Sequence, residues 1–361
     1  MQIHHHRCLC AFIPPQVLEN IAKTRDVDPN LVNSAVLTLQ QGKLVREKRD
    51  SRQPNLDALS AKGTIYGVGG IAPAGQGPRE VYDCKHTWAQ RVAPAVRLEG
   101  GPGTADQATT SAYDFAGNVR EYLATVMGRN SIDNLGMKLI LNVHFGVNYM
   151  NAFWDGDEMT FGDGDGQIFT NFSKSLDVVA HELAHGVTQF TANLEYQGQS
   201  GALNEHFSDV FGTAITQYID KQKANEADWC IGDEIMGPDL FGESLRSMRA
   251  PGSAYDNSLM GKDPQPDHMS NYYAGPADHH GVHINSGIPN RAFYLTAKEI
   301  GTDNAVKIWY HALQRLWPTA KFNDAVHVIS ESARILTKNN AVPIGAPQVV
   351  RASFKAVGLP T

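Results

Sequence analysis

The chain has 361 residues, 42% hydrophobic and 19% charged, with a formal net charge of −7. This is the composition of a folded protein with room for two sizeable cores, and its acidic balance argues against nucleic acid or an anionic membrane as partner. No stretch approaches the roughly 18 to 20 apolar residues of a membrane span.

The N-terminus does not read as a signal peptide, which carries about 7 to 15 unbroken apolar residues; here Pro14 and Pro15 stop the run from Leu9 to Ile13. The chain is therefore expected to be secreted without an ordinary signal peptide, or to remain cytoplasmic as a precursor. His4, His5 and His6 form too short a tract to carry a claim. Cys8, Cys10, Cys84 and Cys230 are not spaced as a disulfide framework, and a reducing compartment during synthesis is compatible with them.

Up to about residue 50, helical spacing is set by Val17, Leu18, Ile21, Leu31, Val32, Ala35, Val36 and Leu39. Gly42 offers a stop, and the charged stretch from Arg46 to Pro54 reads as an exposed linker open to proteolysis. From about 61 to 175 the chain is glycine-rich with short β-like runs at Thr64–Val68, Val92–Leu98 and Met137–Val147, interrupted by a helix over Ser111–Met127. The run from Phe161 to Gln167 reads as a turn, because it lacks the spaced acidic residues and final Glu of an EF-hand. After 176 the pattern is helical: Asp177–Ala192, Asn204–Lys223, Ser286–Ile300, Asn304–Leu316 and Phe322–Asn339.

His181-Glu-Leu-Ala-His185 is the strongest local signal. Residues four apart share a helix face, so two imidazoles converge on one metal, with Glu182 beside them able to polarise a water without being a ligand. Val178, Val179, Leu183, Ala184 and Val187 make the helix a buried one, with Ser175 as its cap and Asp177 in its first turn. The five-residue pattern also arises in helices that bind nothing, so the third ligand decides. The extended form with a third histidine is excluded by Thr188 and Thr191. Glu205 is instead available on the next helix as the third ligand. Asp209, four residues on, can accept a hydrogen bond from a liganding histidine, and Asn204 belongs to the same polar cluster.

Taken together, several motifs resemble the thermolysin family of zinc metalloendopeptidases from about residue 62 to the C-terminus. They are Asn151-Ala-Phe-Trp154, Phe161 to Gly166, Val179 to Thr188, Gly201 to Glu205, Ser244 to Met248 and Gly281 to Gly287. Residues 12–22 resemble the short propeptide of the protealysin-like branch. The resemblance implies an α+β fold: a helical propeptide and linker over 1–55, a β-rich N-terminal lobe over 56–175, and an α-helical C-terminal lobe over 176–361. The zinc cleft would lie between the two lobes. It implies one catalytic Zn2+ on His181, His185 and Glu205, with Glu182 as the base. His283 and Tyr196 would be oxyanion donors and Asp278 would orient His283. Asn151, the carbonyl of Ala152, and Arg246 would hold substrate. Phe169, Phe172, Val178, Ile231 and Leu245 would line an apolar pocket for a large hydrophobic residue after the cut. Protein or peptide substrates and the chain's own propeptide, as intramolecular inhibitor, are the implied partners.

The sequence departs from the family in three places. Ala184 replaces a Thr, and Phe161 stands where Tyr is usual. In the family's double calcium site Asp177, Asp228 and Asp233 remain, but Thr216 and Cys230 replace two glutamates, so one Ca2+ or none is expected. An aminopeptidase with the same zinc ligands would carry a G-x-M-E-N motif, which is absent. A non-catalytic zinc protein would have lost Glu182.

Overall fold

A computed structural model describes residues 10–25, 27–60 and 78–361. Strand β1 (Cys10–Ala11) leads into α1 (Pro15–Lys23) and α2 (Pro29–Ser60). Strands β2 (Arg79–Asp83) and β3 (Arg97–Leu98) precede α3 (Gln107–Thr125), followed by β4 (Leu139–Val143), β5 (Ala152–Trp154) and β6 (Met159–Phe161). These six strands form one sheet in the order β1-β5-β6-β4-β2-β3. The β2, β4 and β6 pairings are parallel, and β1 lies antiparallel on β5 with Cys10 opposite Trp154 and Ala11 opposite Phe153.

One face of the sheet is apolar at its centre, through Val81, Leu139, Leu141, Val143 and Met159, while Glu80, Tyr82, Asn142 and Thr160 share the other face. Helix α3 packs there through Ala108, Ala112, Ala116, Val119 and Leu123. Asp106 caps it, accepting from the backbone N–H of Thr109 at 2.7 Å. The second lobe is helical: α4 (Leu176–Gln189), α5 (Gly198–Ile219), α6 (Ala277–Asn285), α7 (Gly287–Ile300), α8 (Thr302–Leu313), α9 (Phe322–Lys338) and α10 (Ala346–Ala356). Every residue of α4 is buried, which explains why its sequence is apolar around the whole circumference apart from the functional side chains.

Several expectations change. Helix α2 continues through Gly42 and the stretch 46–54 as far as Ser60, so that segment is not an extended linker, and position 55 lies inside a helix. One glycine costs a helix only about 1 kcal/mol relative to alanine, too little to end it. Of the expected run Val92–Leu98 only Arg97–Leu98 is strand. Thr64–Val68 lies outside the described residues. Ser175 holds the N-cap position of α4 but makes no capping bond; its hydroxyl donates to Asp177 instead. Helix α10 was not anticipated, although Pro347 in its first turn and Val350 and Phe354 four apart on its buried face are its signature. The turn from Phe161 is as expected. Gly164 has φ +69° and a Cβ there would stand 2.1 Å from the Phe169 carbonyl, while Asp165 accepts from the Phe169 N–H at 2.9 Å.

Candidate active site

His181 and His185 project from one face of α4 with their Nε2 atoms 3.1 Å apart. From α5, Glu205 brings Oε2 to 3.4 Å from His181 Nε2 and Oε1 to 3.5 Å from His185 Nε2. Ligand atoms each about 2.1 Å from one tetrahedral ion stand about 3.4 Å apart, so the triangle has the size zinc requires. Glu205 Oε2 and Glu182 Oε1 are buried and accept no hydrogen bond. Orphaned carboxylate oxygens are costly in a dry interior, and a cation with a water is the chemistry that satisfies both.

The far side of each imidazole is held. Asp209 Oδ1 stands 2.8 Å from His181 Nδ1, and Asn204 Oδ1 stands 2.9 Å from His185 Nδ1. The Asn204 contact leaves the His185 Nε2 lone pair to face the ligand triangle, while Asp209 lies beside His181 Nδ1 as a charge partner without hydrogen-bond geometry. Asp209 is itself fixed by Arg246, whose Nε and Nη2 reach it at 3.0 Å and 2.9 Å, and by Asn290 at 2.8 Å. Burial works to raise the Asp209 pKa, but the charge and hydrogen bonds of Arg246 and the charge of His181 outweigh burial and hold it at about 2. Sequence reasoning did not find this second duty of Arg246, because nothing local links positions 209 and 246.

Glu182 is fully buried, with Oε2 accepting from the Trp154 N–H at 2.9 Å. Burial raises its pKa well above the ordinary carboxyl range. Across the cleft, His283 Nδ1 lies 2.6 Å from Asp278 Oδ1, and Asp278 Oδ2 accepts from the backbone N–H of His283 at 2.8 Å. Burial opposes the charged form of His283, yet Glu205 and Asp278 together raise its pKa. The chain turns back between these two residues through four successive left-handed residues, Asp278 to Gly281, at φ +54°, +49°, +64° and +81°. Only Gly281 adopts that conformation freely. Tyr196 donates to Glu205 and stands 3.1 Å from His283 Nε2.

Residues 10–13 lie in this cleft. Phe12 N–H donates to the Ala152 carbonyl at 3.0 Å, and Ile13 N–H donates to Asn151 Oδ1 at 2.8 Å. Asn151 Nδ2 donates to the Ile13 carbonyl at 3.2 Å and Arg246 Nη1 to that of Phe12 at 3.5 Å. His283 Nε2 is 3.1 Å from the Ala11 carbonyl oxygen. The Phe12 ring meets His181 edge-on at 5.1 Å, lies under the Arg246 guanidinium at 5.0 Å, and closes on Gly232 beside Leu245. Phe169, Phe172, Val178, Ile231 and Leu245 are all buried in the same apolar core as Phe12.

Residues 71–189 match the thermolysin metallopeptidase catalytic domain, and residues 192–359 match the thermolysin metallopeptidase alpha-helical domain. The chain belongs to the thermolysin family of metallopeptidases. It is 39% identical to an extracellular metalloprotease of Pectobacterium carotovorum subsp. carotovorum, over 98% of this chain and 97% of that one. It is 40% identical to thermolysin of Alicyclobacillus acidocaldarius subsp. acidocaldarius over 70% of this chain but only 46% of the relative's length. Among solved structures, the precursor of protealysin from Serratia proteamaculans matches with a TM-score of 0.83 and 37% identity, over 97% of this chain and 99% of that chain. The family is zinc-dependent, and His181, Glu182 and His185 group as a potential metal site here.

One cysteine of this thermolysin-family chain differs from the sequence reading. Cys10 is fully buried, and its sulfur falls with His185 and Glu205 into one group of potential ligand atoms within 4.8 Å. It is disulfide-bonded, whereas Cys84 and Cys230 are free thiols. Cys8 lies outside the described residues. At the expected calcium position, the Asp177 carboxylate accepts from the N–H groups of Val178 and Gly232, each at 2.6 Å. Thr216 turns its hydroxyl to the Gly212 carbonyl at 3.1 Å. Asp233 is raised to about 6, by burial and then by the charges of Asp177 and Asp228.

Proposed function

We propose that this metallopeptidase cuts internal peptide bonds ahead of large hydrophobic residues and is made as a precursor that its own N-terminal segment holds inactive. The observation that carries this reading is the antiparallel seating of Cys10 and Ala11 on β5, with the Phe12 and Ile13 N–H groups and the Ala11, Phe12 and Ile13 carbonyls bonded to Ala152, Asn151, His283 and Arg246. In this reading, residues 1–55 are the inhibitory propeptide and linker, and the precursor is secreted.

His181, His185 and Glu205 would hold one zinc ion, which when bound supplies Lewis-acid polarisation and makes a neighbouring water acidic. Glu182 takes the proton from the attacking water as its oxygen bonds to the carbonyl carbon. His283 Nε2–H, oriented by Asp278, and the Tyr196 hydroxyl donate to the oxygen that becomes negative. The proton on Glu182 then passes to the amide nitrogen as the C–N bond breaks, and the second proton of the water follows it to the nitrogen, leaving a carboxylate and an ammonium. The Ala152 carbonyl and Asn151 hold the leaving residue's backbone, and Arg246 holds its carbonyl. Phe12, buried beside Leu245 and in the same apolar core as Phe169, Phe172, Val178 and Ile231, stands in this reading for the residue after the cut.

Full-length chain is expected to hydrolyse an internally quenched peptide slowly, and Phe12→Asp to raise the initial rate at least about tenfold before any cut in the chain. A charge in that apolar pocket is unfavourable by several kcal/mol. Trimming by an added protease is expected between Arg46 and Lys62. After trimming, a peptide with Leu after the cut should exceed its Asp counterpart by about 10²-fold in kcat/KM. A full-length chain as fast as the trimmed one would end the self-inhibition reading, and equal rates on the two peptides would end the pocket assignment. Free and N-terminally blocked peptides should be cut equally, as an aminopeptidase would not do.

We also infer that no calcium pair stabilises the chain, since Asp177 is committed to backbone N–H groups and Thr216 to a backbone carbonyl. The chain dialysed against micromolar free Ca2+ is expected to hold at most one calcium ion, by metal content. Two calcium ions per chain would overturn this.

A further inference from the structure

We propose that His86, His144 and Asp163 form a second metal site, on the β-rich lobe and built from none of the cleft residues, for a borderline divalent cation such as Zn2+. Potential ligand atoms of the three residues lie within 4.8 Å of one another. His86 Nδ1 stands 3.4 Å from Asp163 Oδ2, the edge length of a tetrahedral zinc site, about 3.4 Å. His144 Nδ1 is 2.9 Å from both Asp163 oxygens. Two imidazoles with one carboxylate favour zinc, cobalt or nickel over calcium or magnesium, which take oxygen ligands.

Three further observations converge on the cluster. On its far side His144 Nε2 faces Asp106 Oδ2 at 3.2 Å, the carboxylate-to-imidazole contact that orients a liganding histidine. Asn171 Nδ2 donates to Asp163 Oδ1 and turns that carboxylate toward the histidines. Both histidines sit on left-handed backbone, His86 at φ +56° and His144 at φ +55°, and the His86 N–H is tied to the His144 carbonyl at 2.9 Å. Non-glycine residues adopt this conformation at a cost and cluster at functional sites.

An ordinary ion pair accounts for part of this. The hydrogen bond that His144 donates to Asp163 raises the imidazole pKa to about 9, and a cation has to displace that proton. The ion pair does not account for His86, whose side chain is 58% exposed yet carries a strained backbone toward the same carboxylate. That exposure gives a hydrated ion a way in and leaves room for water as a fourth ligand. Bound there, the ion would join the loops after β2 and β4 to the turn after β6. The same turn donates from Gly162 N–H to the Asn151 carbonyl at 2.9 Å, so the clamp reaches the wall of the cleft.

The test is metal content after chelator stripping of the full-length chain and dialysis against micromolar free zinc. Two zinc ions per chain are expected in the wild type, one in His86→Ala and one in His181→Ala. In a His4→Ala, His5→Ala, His6→Ala variant two should remain, which separates the site from the N-terminal histidine tract. Zinc should raise the Tm of His181→Ala, and this rise should vanish when His86→Ala or Asp163→Asn is added. One zinc in the wild type, a second zinc that survives His86→Ala, or a second zinc lost with the N-terminal histidines would each overturn the proposal.

Discussion

Replacing Glu182 with Gln is expected to lower kcat by about 10³-fold or more while one zinc stays in the cleft, because the variant keeps the shape of the site and loses only the base. The amide oxygen of Gln can still accept from the Trp154 N–H, where Glu182 Oε2 now does at 2.9 Å. The ligand triangle of His181, His185 and Glu205 is untouched. Stability gives an independent readout. In the chain stripped of zinc, burial raises the folded pKa of Glu182 well above its ordinary value of 4.5, so there its ionised form opposes folding at neutral pH. A neutral amide removes that opposition, and the Tm of the stripped chain is expected to hold or rise. Turnover on a quenched peptide, measured beside zinc content, decides the case: a zinc-free variant would give Glu182 a structural duty, and retained turnover would place the base elsewhere.

Replacing His283 with Phe is expected to lower kcat by about 10² to 10³ with little change in KM, since an oxyanion donor acts mainly in the transition state. The supporting geometry is His283 Nε2 at 3.1 Å from the Ala11 carbonyl oxygen, in a strand bonded as substrate would be. The pH profile separates this from simple damage to the site. Burial disfavours the imidazolium, but Glu205 and Asp278 outweigh burial and raise the pKa above 6.5. The donor form is therefore full at lower pH and lost as pH rises through a value above 6.5. The wild-type kcat should show an alkaline limb there, and the variant should lack it. A pure KM effect, or an unchanged alkaline limb, would remove His283 from the chemistry.

What was legible in the sequence follows the range over which spacing maps onto space. On a helix, four residues is one turn and a little more, so His181 with His185, and Glu205 with Asp209, could be placed on shared faces before any fold was known. The same rule found α1, through Val17, Leu18 and Ile21, all buried in the structure. It failed at Gly42, where the propensity of one residue was taken to end a helix that continues to Ser60. It failed also for Val92–Leu98, where β-prone composition ran on beyond the two residues that find a partner.

Local spacing alone placed two imidazoles and a carboxylate on one helix and a further carboxylate on the next, and the motifs carried a resemblance to a family of metallopeptidases that the whole-chain matches bear out. What meets across long separations came from the folded chain. It put Ile13 on Asn151, 138 positions away, and Arg246 on Asp209, and it turned Asp278 back onto His283 through left-handed backbone. It also brought His86, His144 and Asp163 together from three loops, and buried Cys10 beside the zinc ligands. The physical reason is that helical periodicity is a property of the local backbone. The register of one strand on another, and the convergence of loops, are instead set by how buried surfaces fit, which no short stretch of sequence contains.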